Sequence, residues 1–124
     1  CAVCGADTEK TAETVAKSVI TSNLFKAAMF GEDANWGRIL CAVGYADADF
    51  DINKVGVTIG SEQGTIEVCK NGAGVPFSEE EAKKILGEDV IDIVISLGDG
   101  GKSACAWGCD LTYDYVKING DYRS

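Results

Sequence analysis

Apolar residues recur with helical spacing over the first third of the chain. Five of them follow the i, i+3, i+4, i+7, i+8 spacing of one helix face: Ala12, Val15, Ala16, Val19 and Ile20. Asp7 or Thr8 can cap this helix. A second helical segment covers residues 24–30, and a third begins after a capping Asn35 and ends near Gly44. The first third of the chain is therefore predicted to be mainly helical.

Alternating or continuous apolar runs after residue 54 predict β-strands. Residues 55–59 alternate between apolar and small side chains, and residues 65–69 continue as the second strand of a hairpin. Residues 90–97 form an almost continuous apolar run, which indicates a central strand with both faces covered. Two further strands are expected, a short one at residues 1–6 and a return strand at residues 103–109.

Two more helices are predicted in the second half of the chain. Ser78 and Glu81 form a capping box for a short helix that ends at Gly87. Asp110 is expected to cap a last helix, which stops at the Asn119-Gly120 pair. This order of elements predicts an α+β fold, in which N-terminal helical segments precede a small mixed or antiparallel sheet packed with two helices.

Composition and charge narrow the classes of function. A chain of 124 residues forms one compact domain or a piece of a larger one. The formal net charge of −9 repels phosphate backbones and anionic lipids, which argues against nucleic acid and membranes as partners. No apolar run approaches the ~18 residues that span a bilayer. The sequence therefore indicates a cytoplasmic protein, and its start at Cys1 without an initiator Met indicates a processed, cleaved or truncated product.

The chain has six cysteines and no His. Two close pairs, Cys1 with Cys4 and Cys105 with Cys109, leave open a thiol-based metal or redox protein. However, structural zinc sites more often use two C-x-x-C pairs or combine Cys with His. The other two cysteines lie in apolar patterns, where free Cys commonly behaves as a small hydrophobe: Cys41 and Cys69. Buried, reduced thiols are the favoured interpretation, and no metal site is predicted.

The segment from Phe30 to Arg38 concentrates charged and polar groups. Glu32, Asp33 and Arg38 could perform acid-base chemistry or hold a substrate. The alternative is structural: both carboxylates interact with the positive end of the following helix, and Arg38 extends along the surface or pairs with them. Because such arrangements are common at helix starts, the structural role is favoured.

Two other segments resemble ligand-binding loops only superficially. Asp47, Asp49 and Asp51 imitate the alternating ligands of a calcium loop, but the Gly and the distal Glu of that pattern are missing. The glycine-rich residues 98–102 lack the spacing of a phosphate loop. A solvated loop and a hairpin turn are predicted instead.

Two stretches closely resemble the C-terminal part of the ornithine acetyltransferase family, the arginine-biosynthesis bifunctional proteins. The first, residues 30–44, begins Phe-Gly-Glu-Asp-Ala-Asn-Trp-Gly-Arg-Ile-Leu; the second, residues 107–124, ends Val-Lys-Ile-Asn-Gly-Asp-Tyr-Arg-Ser. Residues 66–74 and the helix around residues 16–28 also fit, so the resemblance covers essentially the whole chain. It implies that residues 1–46 belong to a larger α/β enzyme core and residues 47–124 form a small α+β C-terminal domain.

The resemblance also implies a chemistry. Members of this family cleave themselves into α and β chains, and the new N-terminal Thr of the β chain takes the acetyl group from N-acetylornithine and passes it to glutamate; some members also use acetyl-CoA. The nucleophile and the oxyanion donors would lie upstream of Cys1. The isolated chain is therefore expected to be inactive, with no catalytic residue and no cofactor. Its expected partners are the α chain, the N-terminal part of the β chain and the amino-acid substrates, within a hetero-oligomer.

At the level of single residues, the resemblance assigns substrate binding to Asn119 and Ser124. Ser124 departs from the usual Thr but keeps the hydroxyl, so the hydrogen bond is expected to survive while a methyl contact is lost. The aromatic residues near this chain end indicate that it docks against other structure. The alternative is a free-standing binding or interaction module of the same fold that uses this aromatic face.

Overall fold

A computed structural model describes residues 1–122 of the chain. These residues form six strands, five α-helices and a short 3-10 helix at Ile52–Lys54. In chain order the elements are β1 (Ala2–Ala6), α1 (Glu9–Ile20), α2 (Asn23–Phe30), α3 (Trp36–Gly44), β2 (Gly56–Ser61), β3 (Gly64–Lys70), β4 (Ala73–Gly74), α4 (Glu79–Leu86), β5 (Asp92–Ser96), β6 (Lys102–Cys105) and α5 (Tyr113–Asp121). The predicted α+β fold is confirmed.

All six strands join one mixed sheet in the order β4-β3-β2-β5-β1-β6. β1 runs parallel to β5, and every other neighbouring pair is antiparallel. The first strand of the chain therefore lies between the last two: Ala2 is opposite Val94 on β5 and opposite Cys105 on β6. The division of the chain at residue 46 stays a prediction.

The core lies on one face of the sheet. The inward-facing residues of the central strands are fully buried or nearly so: Val3, Val57, Ile59, Ile93 and Ile95. α1 packs against β1 and β6, α4 packs against β2 and β3, and α3 packs against α1. The apolar stripe of α1 closes this layer, since Ala12, Val15, Ala16 and Val19 are all buried. Phe25 of α2 joins the same core, so a single hydrophobic core holds the sheet and four helices together.

Every α-helix begins at a polar side chain that accepts a backbone N–H from three residues further on. The capping residues are Thr8, Ser22, Asn35, Ser78 and Thr112. This bond satisfies one of the N–H groups that have no partner inside the first turn. The predicted caps at Thr8, Asn35 and Ser78 are confirmed. Within residues 1–122, none of the helices combines the length and the apolar character needed to cross a membrane.

β5 differs from its prediction in length and in coverage. The strand runs from Asp92 to Ser96, and its central position in the sheet is confirmed. Its burial alternates, so Ile93 and Ile95 are buried while Val94 is 40% exposed. The expectation that both faces are covered is wrong for the described chain, because all helices that pack on the sheet lie on the Ile93 side.

The C-terminal elements also differ from their predictions. The return strand ends at Cys105, and residues 106–112 form no regular structure. Thr112, not Asp110, caps the last helix, because its Oγ1 accepts the Tyr115 N–H at 2.9 Å. The helix continues through Gly120 to Asp121, so the predicted stop is also wrong. α5 buries none of its residues within the described chain, and the helix that packs beside α4 on the sheet is α1.

The β3–β4 hairpin was not predicted. Asn71 and Gly72 both have positive φ, at 52° and 75°, which is the conformation of a two-residue type I′ turn. Lys70 pairs directly with Ala73 across this turn. The Asn-Gly pair is the strongest short-range signal for such a hairpin, so the sequence contains the information. The resulting strand β4 places Gly74 against the Trp36 ring at the start of α3.

Candidate functional site

The C-terminal segment crosses the outer side of α2. The Leu111 N–H donates to the Lys26 carbonyl oxygen at 3.2 Å. One helical turn further along α2, the Phe30 ring meets the Tyr113 ring edge to face, with centroids 5.3 Å apart and ring planes at 87°. Gly108 passes close to Ile20, where a Cβ would lie 3.2 Å from the Ile20 Cβ. The fold thus brings together the two stretches, residues 30–44 and 107–124, that carry the family resemblance.

A cavity of about 460 Å³ lies beneath this crossing, between α2, the end of α4 and residues 108–110. Its floor is apolar and is formed mainly by Ile20, Phe25, Met29, Leu86, Ile91 and Ile93. Its rim carries four carboxylates, Glu32, Glu88, Asp89 and Asp110, against one cation, Lys26. Sequence reasoning missed this cavity, because its walls come from segments far apart in the chain.

Of the two predicted substrate-binding residues, the structure describes Asn119 but not Ser124. Asn119 is exposed on α5, and its side-chain Nδ2 donates to the Tyr115 carbonyl oxygen at 2.8 Å. This bond uses one of the two Nδ2 hydrogens, so the second hydrogen and Oδ1 can still contact a substrate. Ser124 lies outside the described residues. Substrate binding by both residues stays a prediction.

The charged segment before α3 has a structural arrangement. Asn35 is its centre: its Oδ1 accepts the Arg38 N–H at 3.1 Å, and its Nδ2 donates to Asp33 Oδ2 at 3.1 Å. The Arg38 guanidinium donates to the Leu24 carbonyl oxygen at 2.9 Å. Within residues 1–122, Arg38 forms no ion pair with Asp33 or Glu32. These contacts favour the structural interpretation over acid-base chemistry. Two details differ from the prediction: Asn35, not a carboxylate, binds the N–H group at the start of the helix, and Arg38 binds a carbonyl oxygen instead of a carboxylate.

The cysteines do not form a cluster. All six thiols are free, and only Cys69 is buried. The expectation that Cys41 is buried is wrong, because α3 turns Ile39, Ala42 and Val43 to the core and leaves Cys41 outside. In the part of the chain that the structure describes, no three His, Cys, Asp or Glu side chains are grouped so that they could hold a metal ion. Burial raises the pKa of the Cys69 thiol, whose Sγ donates to the Val55 carbonyl oxygen at 3.7 Å.

The acidic loop is a solvated connection, as predicted. Asp47, Asp49 and Asp51 are all exposed. Asp51 begins the 3-10 helix, because its Oδ1 accepts the Asn53 N–H at 3.0 Å. This hydrogen bond gives one of the three carboxylates a local structural role.

Comparison with known proteins agrees with the resemblance of the two stretches. The ArgJ family model matches residues 1–124. The arginine biosynthesis bifunctional protein ArgJ 1 of Clostridium acetobutylicum is 56% identical over 122 residues, which is 98% of this chain and 30% of that protein. The glutamate N-acetyltransferase of Methanopyrus kandleri is 48% identical over 120 residues, covering 97% of this chain and 31% of that protein.

A solved structure shows the same fold. The crystal structure of the arginine biosynthesis bifunctional protein argJ from Bacillus halodurans superposes with a TM-score of 0.90 at 43% sequence identity. The match covers 98% of this chain and 55% of that one. The chain thus spans about a third of the length of the curated relatives that it matches. On the whole-length family match, the conserved fold and the sequence identity, the chain belongs to the ArgJ family.

Proposed function

We propose that this chain is the C-terminal part of an acetyltransferase that moves the acetyl group of N-acetylornithine to glutamate. It supplies part of the substrate pocket and part of the interface between chains, and the nucleophile comes from elsewhere in the enzyme. One observation carries this proposal: 98% of the chain matches the Clostridium acetobutylicum protein at 56% identity, yet spans only 30% of it.

The proposed reaction has two acyl-transfer steps on a threonine. The Thr hydroxyl attacks the acetyl carbonyl of N-acetylornithine, the C–N bond breaks, and ornithine leaves after its amine takes up a proton. The amino group of glutamate then attacks the resulting ester, which releases the Thr hydroxyl and forms N-acetylglutamate. The Thr would stand at the N-terminus created by self-cleavage, with its own amine as the base. In this proposal, no residue of the described chain carries out any of these steps.

The relative coverages support a two-chain enzyme. The unit described here fills 30% of the Clostridium acetobutylicum protein but 55% of the solved Bacillus halodurans chain. The same unit fills a larger share of the solved chain, so the solved chain is only a little more than half as long as the Clostridium acetobutylicum protein. Such a difference is expected if the solved protein consists of an α chain and a separate β chain that ends in this unit.

The position of α5 supports a role for Asn119 in the substrate pocket. The helix is joined to the rest of the described chain at its start, through Tyr113 and through Leu111 in the segment that precedes it. Its second half, which carries Asn119, is exposed. An amide there can donate to the carboxylate and accept from the amino group of an amino-acid substrate. In the complete enzyme this half would complete a pocket whose other wall carries the nucleophile.

A chimeric enzyme tests the proposal. The corresponding 30% of the Clostridium acetobutylicum protein would be replaced by residues 1–124 of this chain, and ornithine release from N-acetylornithine would be measured with glutamate as the acceptor. We expect turnover by the chimera and none after the proposed nucleophilic Thr is changed to Ala. Turnover by the 124-residue chain alone, or a correctly folded chimera that transfers no acetyl group, would refute the proposal.

A further inference from the structure

Two asparagines of the chain are followed directly by glycine: Asn71 and Asn119. In an Asn-Gly pair the backbone nitrogen of the glycine readily attacks the side-chain amide, because glycine has no Cβ to hinder the approach. The attack expels ammonia and closes a five-membered succinimide ring. Water then opens the ring at either carbonyl, which leaves aspartate or isoaspartate. Because the two pairs are chemically identical, the fold decides which of them reacts.

The fold holds the first pair in a closed conformation. Asn71 and Gly72 form the β3–β4 turn, and strand pairing on both sides fixes their φ angles at 52° and 75°. The attacking group of this pair, the Gly72 N–H, already donates to the Val55 carbonyl oxygen at 2.8 Å. Gly72 also lies so close to the Ile52 carbonyl oxygen that a Cβ would collide with it. Attack on the Asn71 amide therefore requires that this hydrogen bond breaks and the hairpin opens.

The second pair lies in the last turn of α5, a helix that buries none of its residues within the described chain. The Asn119 side chain is exposed, and its Nδ2 donates to the Tyr115 carbonyl oxygen at 2.8 Å, within the same helix. The helix ends one residue after Gly120, and a glycine inside a helix costs about 1 kcal/mol relative to alanine. Helix ends that lack packing open at a free energy near zero. Asn119 therefore reaches the reactive conformation far more often than Asn71.

We propose that Asn119 is a site of spontaneous deamidation that removes the amide from the substrate pocket. When the last turn of α5 frays, the Gly120 nitrogen loses its proton to solvent and attacks Asn119 Cγ. The bond between Cγ and Nδ2 breaks, and Nδ2 takes up protons and leaves as ammonia. Addition of water to the ring then places a carboxylate where the chain carried a neutral amide. Asn71 is the protected counterpart of the same chemistry.

The effect on activity rests on the proposed role of Asn119. A neutral amide can donate a hydrogen bond to the carboxylate of an amino-acid substrate, whereas a carboxylate only accepts. The new carboxylate also repels the like charge of that substrate group, in a chain whose formal net charge is already −9. Deamidation should therefore lower acetyl transfer. A bound substrate that holds the Asn119 amide should in turn slow the modification.

Peptide mass spectrometry tests the proposal on the chimera described above. The native protein would be incubated without substrate in water enriched in heavy oxygen, and the conversion of each asparagine to labelled aspartate or isoaspartate would be followed over time. We expect Asn119 to convert at least tenfold faster than Asn71 in the native protein. In urea the two should convert at similar rates, because the fold no longer protects Asn71. Equal native rates, or faster conversion of Asn71, would refute the proposal.

Gly120→Ala supplies a matched variant. Within the described chain nothing lies within 4 Å of a Cβ at this position, and Gly120 does not have positive φ, so the substitution causes neither a clash nor strain. The added methyl group hinders the attack by the backbone nitrogen. We expect the variant to convert Asn119 at least tenfold more slowly, both in the native protein and in urea, and to leave the rate at Asn71 unchanged. Undiminished conversion of Asn119 would exclude the Gly120 nitrogen as the attacking group.

Acetyl transfer by the same samples separates this inference from the proposed function. We expect the rate of transfer to fall in proportion to the deamidated fraction at Asn119. In the variant whose proposed nucleophilic Thr is changed to Ala, N-acetylornithine should slow the conversion of Asn119. Deamidation without loss of activity would overturn the inactivation and remove Asn119 from the pocket, while acetyl transfer itself would stand. A folded chimera that is inactive when freshly prepared would refute the proposed function, and the conversion rates would still decide whether Asn119 is the site of modification.

Discussion

The Phe30 and Tyr113 rings meet edge to face at 5.3 Å, one at the end of α2 and the other at the start of α5. Together with the Leu111–Lys26 hydrogen bond, this contact fixes the direction in which the C-terminal helix leaves the body of the chain. The rest of α5 is exposed. The position of Asn119 therefore depends on this joint, which we define as the Phe30–Tyr113 ring contact and the Leu111–Lys26 hydrogen bond.

Removing the Tyr113 ring should loosen this joint. An edge-to-face pair contributes about 0.5 kcal/mol at a site as exposed as this one. We expect Tyr113→Ala to accelerate amide hydrogen exchange across residues 113–121 roughly twofold, since this free energy corresponds to about that factor. Tyr115→Ala is the control, because Tyr115 is exposed on the same helix and stands outside the ring pair. Equal exchange in the two variants would contradict the role of the Phe30 contact.

Gly74 should be intolerant of any side chain. A Cβ at this position would lie 2.4 Å from Trp36 Cζ2, so the indole or strand β4 has to move. We expect Gly74→Ala to lower the free energy of unfolding by about 1–3 kcal/mol, measured by urea denaturation. Gly101→Ala is the control, because nothing lies within 4 Å of its Cβ position. In a Trp36→Ala background, Gly74→Ala should lower the free energy of unfolding much less, because the indole is gone. If Gly74→Ala lowers it equally in both backgrounds, the cause is not a clash with Trp36.

The Cys69 thiol should make stability depend on alkaline pH. Burial raises its pKa in the folded state above the ordinary value of 9.0, so the unfolded chain ionises first as the pH rises. This contribution to stability is complete below pH 9 and is lost as the pH passes through the pKa of the folded state. We expect the urea midpoint to fall less between pH 8 and pH 10.5 in Cys69→Ala than in the control Cys41→Ala. Equal falls would refute the assignment.

Asn119 should affect substrate use and not folding. In the complete enzyme we expect Asn119→Ala to lower kcat/KM for N-acetylornithine at least tenfold, which is the effect of losing about 1.4 kcal/mol of hydrogen bonding to a charged substrate. The denaturation midpoint should stay the same, because the side chain is exposed and bonds only its own helix. Asn23→Ala, at the exposed start of α2, is the control. Unchanged kinetics would remove Asn119 from the pocket.

The local elements could be predicted because their causes are local. Thr8, Asn35 and Ser78 cap helices through bonds to residues three positions away, and the apolar spacing of α1 identifies its buried face. At the C-terminus the same reasoning failed. Asp110 and Thr112 are both good capping residues. α5 buries no apolar face within the described chain, so no apolar spacing indicates at which of the two the helix begins.

The contacts between distant segments could not be predicted from patterns. Nothing in residues 1–6 indicates that β1 inserts between β5 and β6, because alternation fixes which side chains face inward and not which strand is the neighbour. The same holds for the cavity and for the Phe30–Tyr113 pair. The prediction that both faces of β5 are covered failed for a related reason. A continuous apolar run predicts two covered faces, but it does not show which part of the protein covers each of them.

The place of β1 in the sheet has a consequence for synthesis. A ribosome makes Ala2–Ala6 before both neighbours of this strand, since Asp92–Ser96 and Lys102–Cys105 emerge only some ninety residues later. Until then its backbone N–H and C=O groups and the Cys4 thiol face the crowded cell without their sheet partners. A nascent chain that stalls before residue 102 keeps an unpaired strand edge, which is a template for aggregation. Stalled or truncated products of this gene segment should accordingly depend on chaperones far more than the finished chain does.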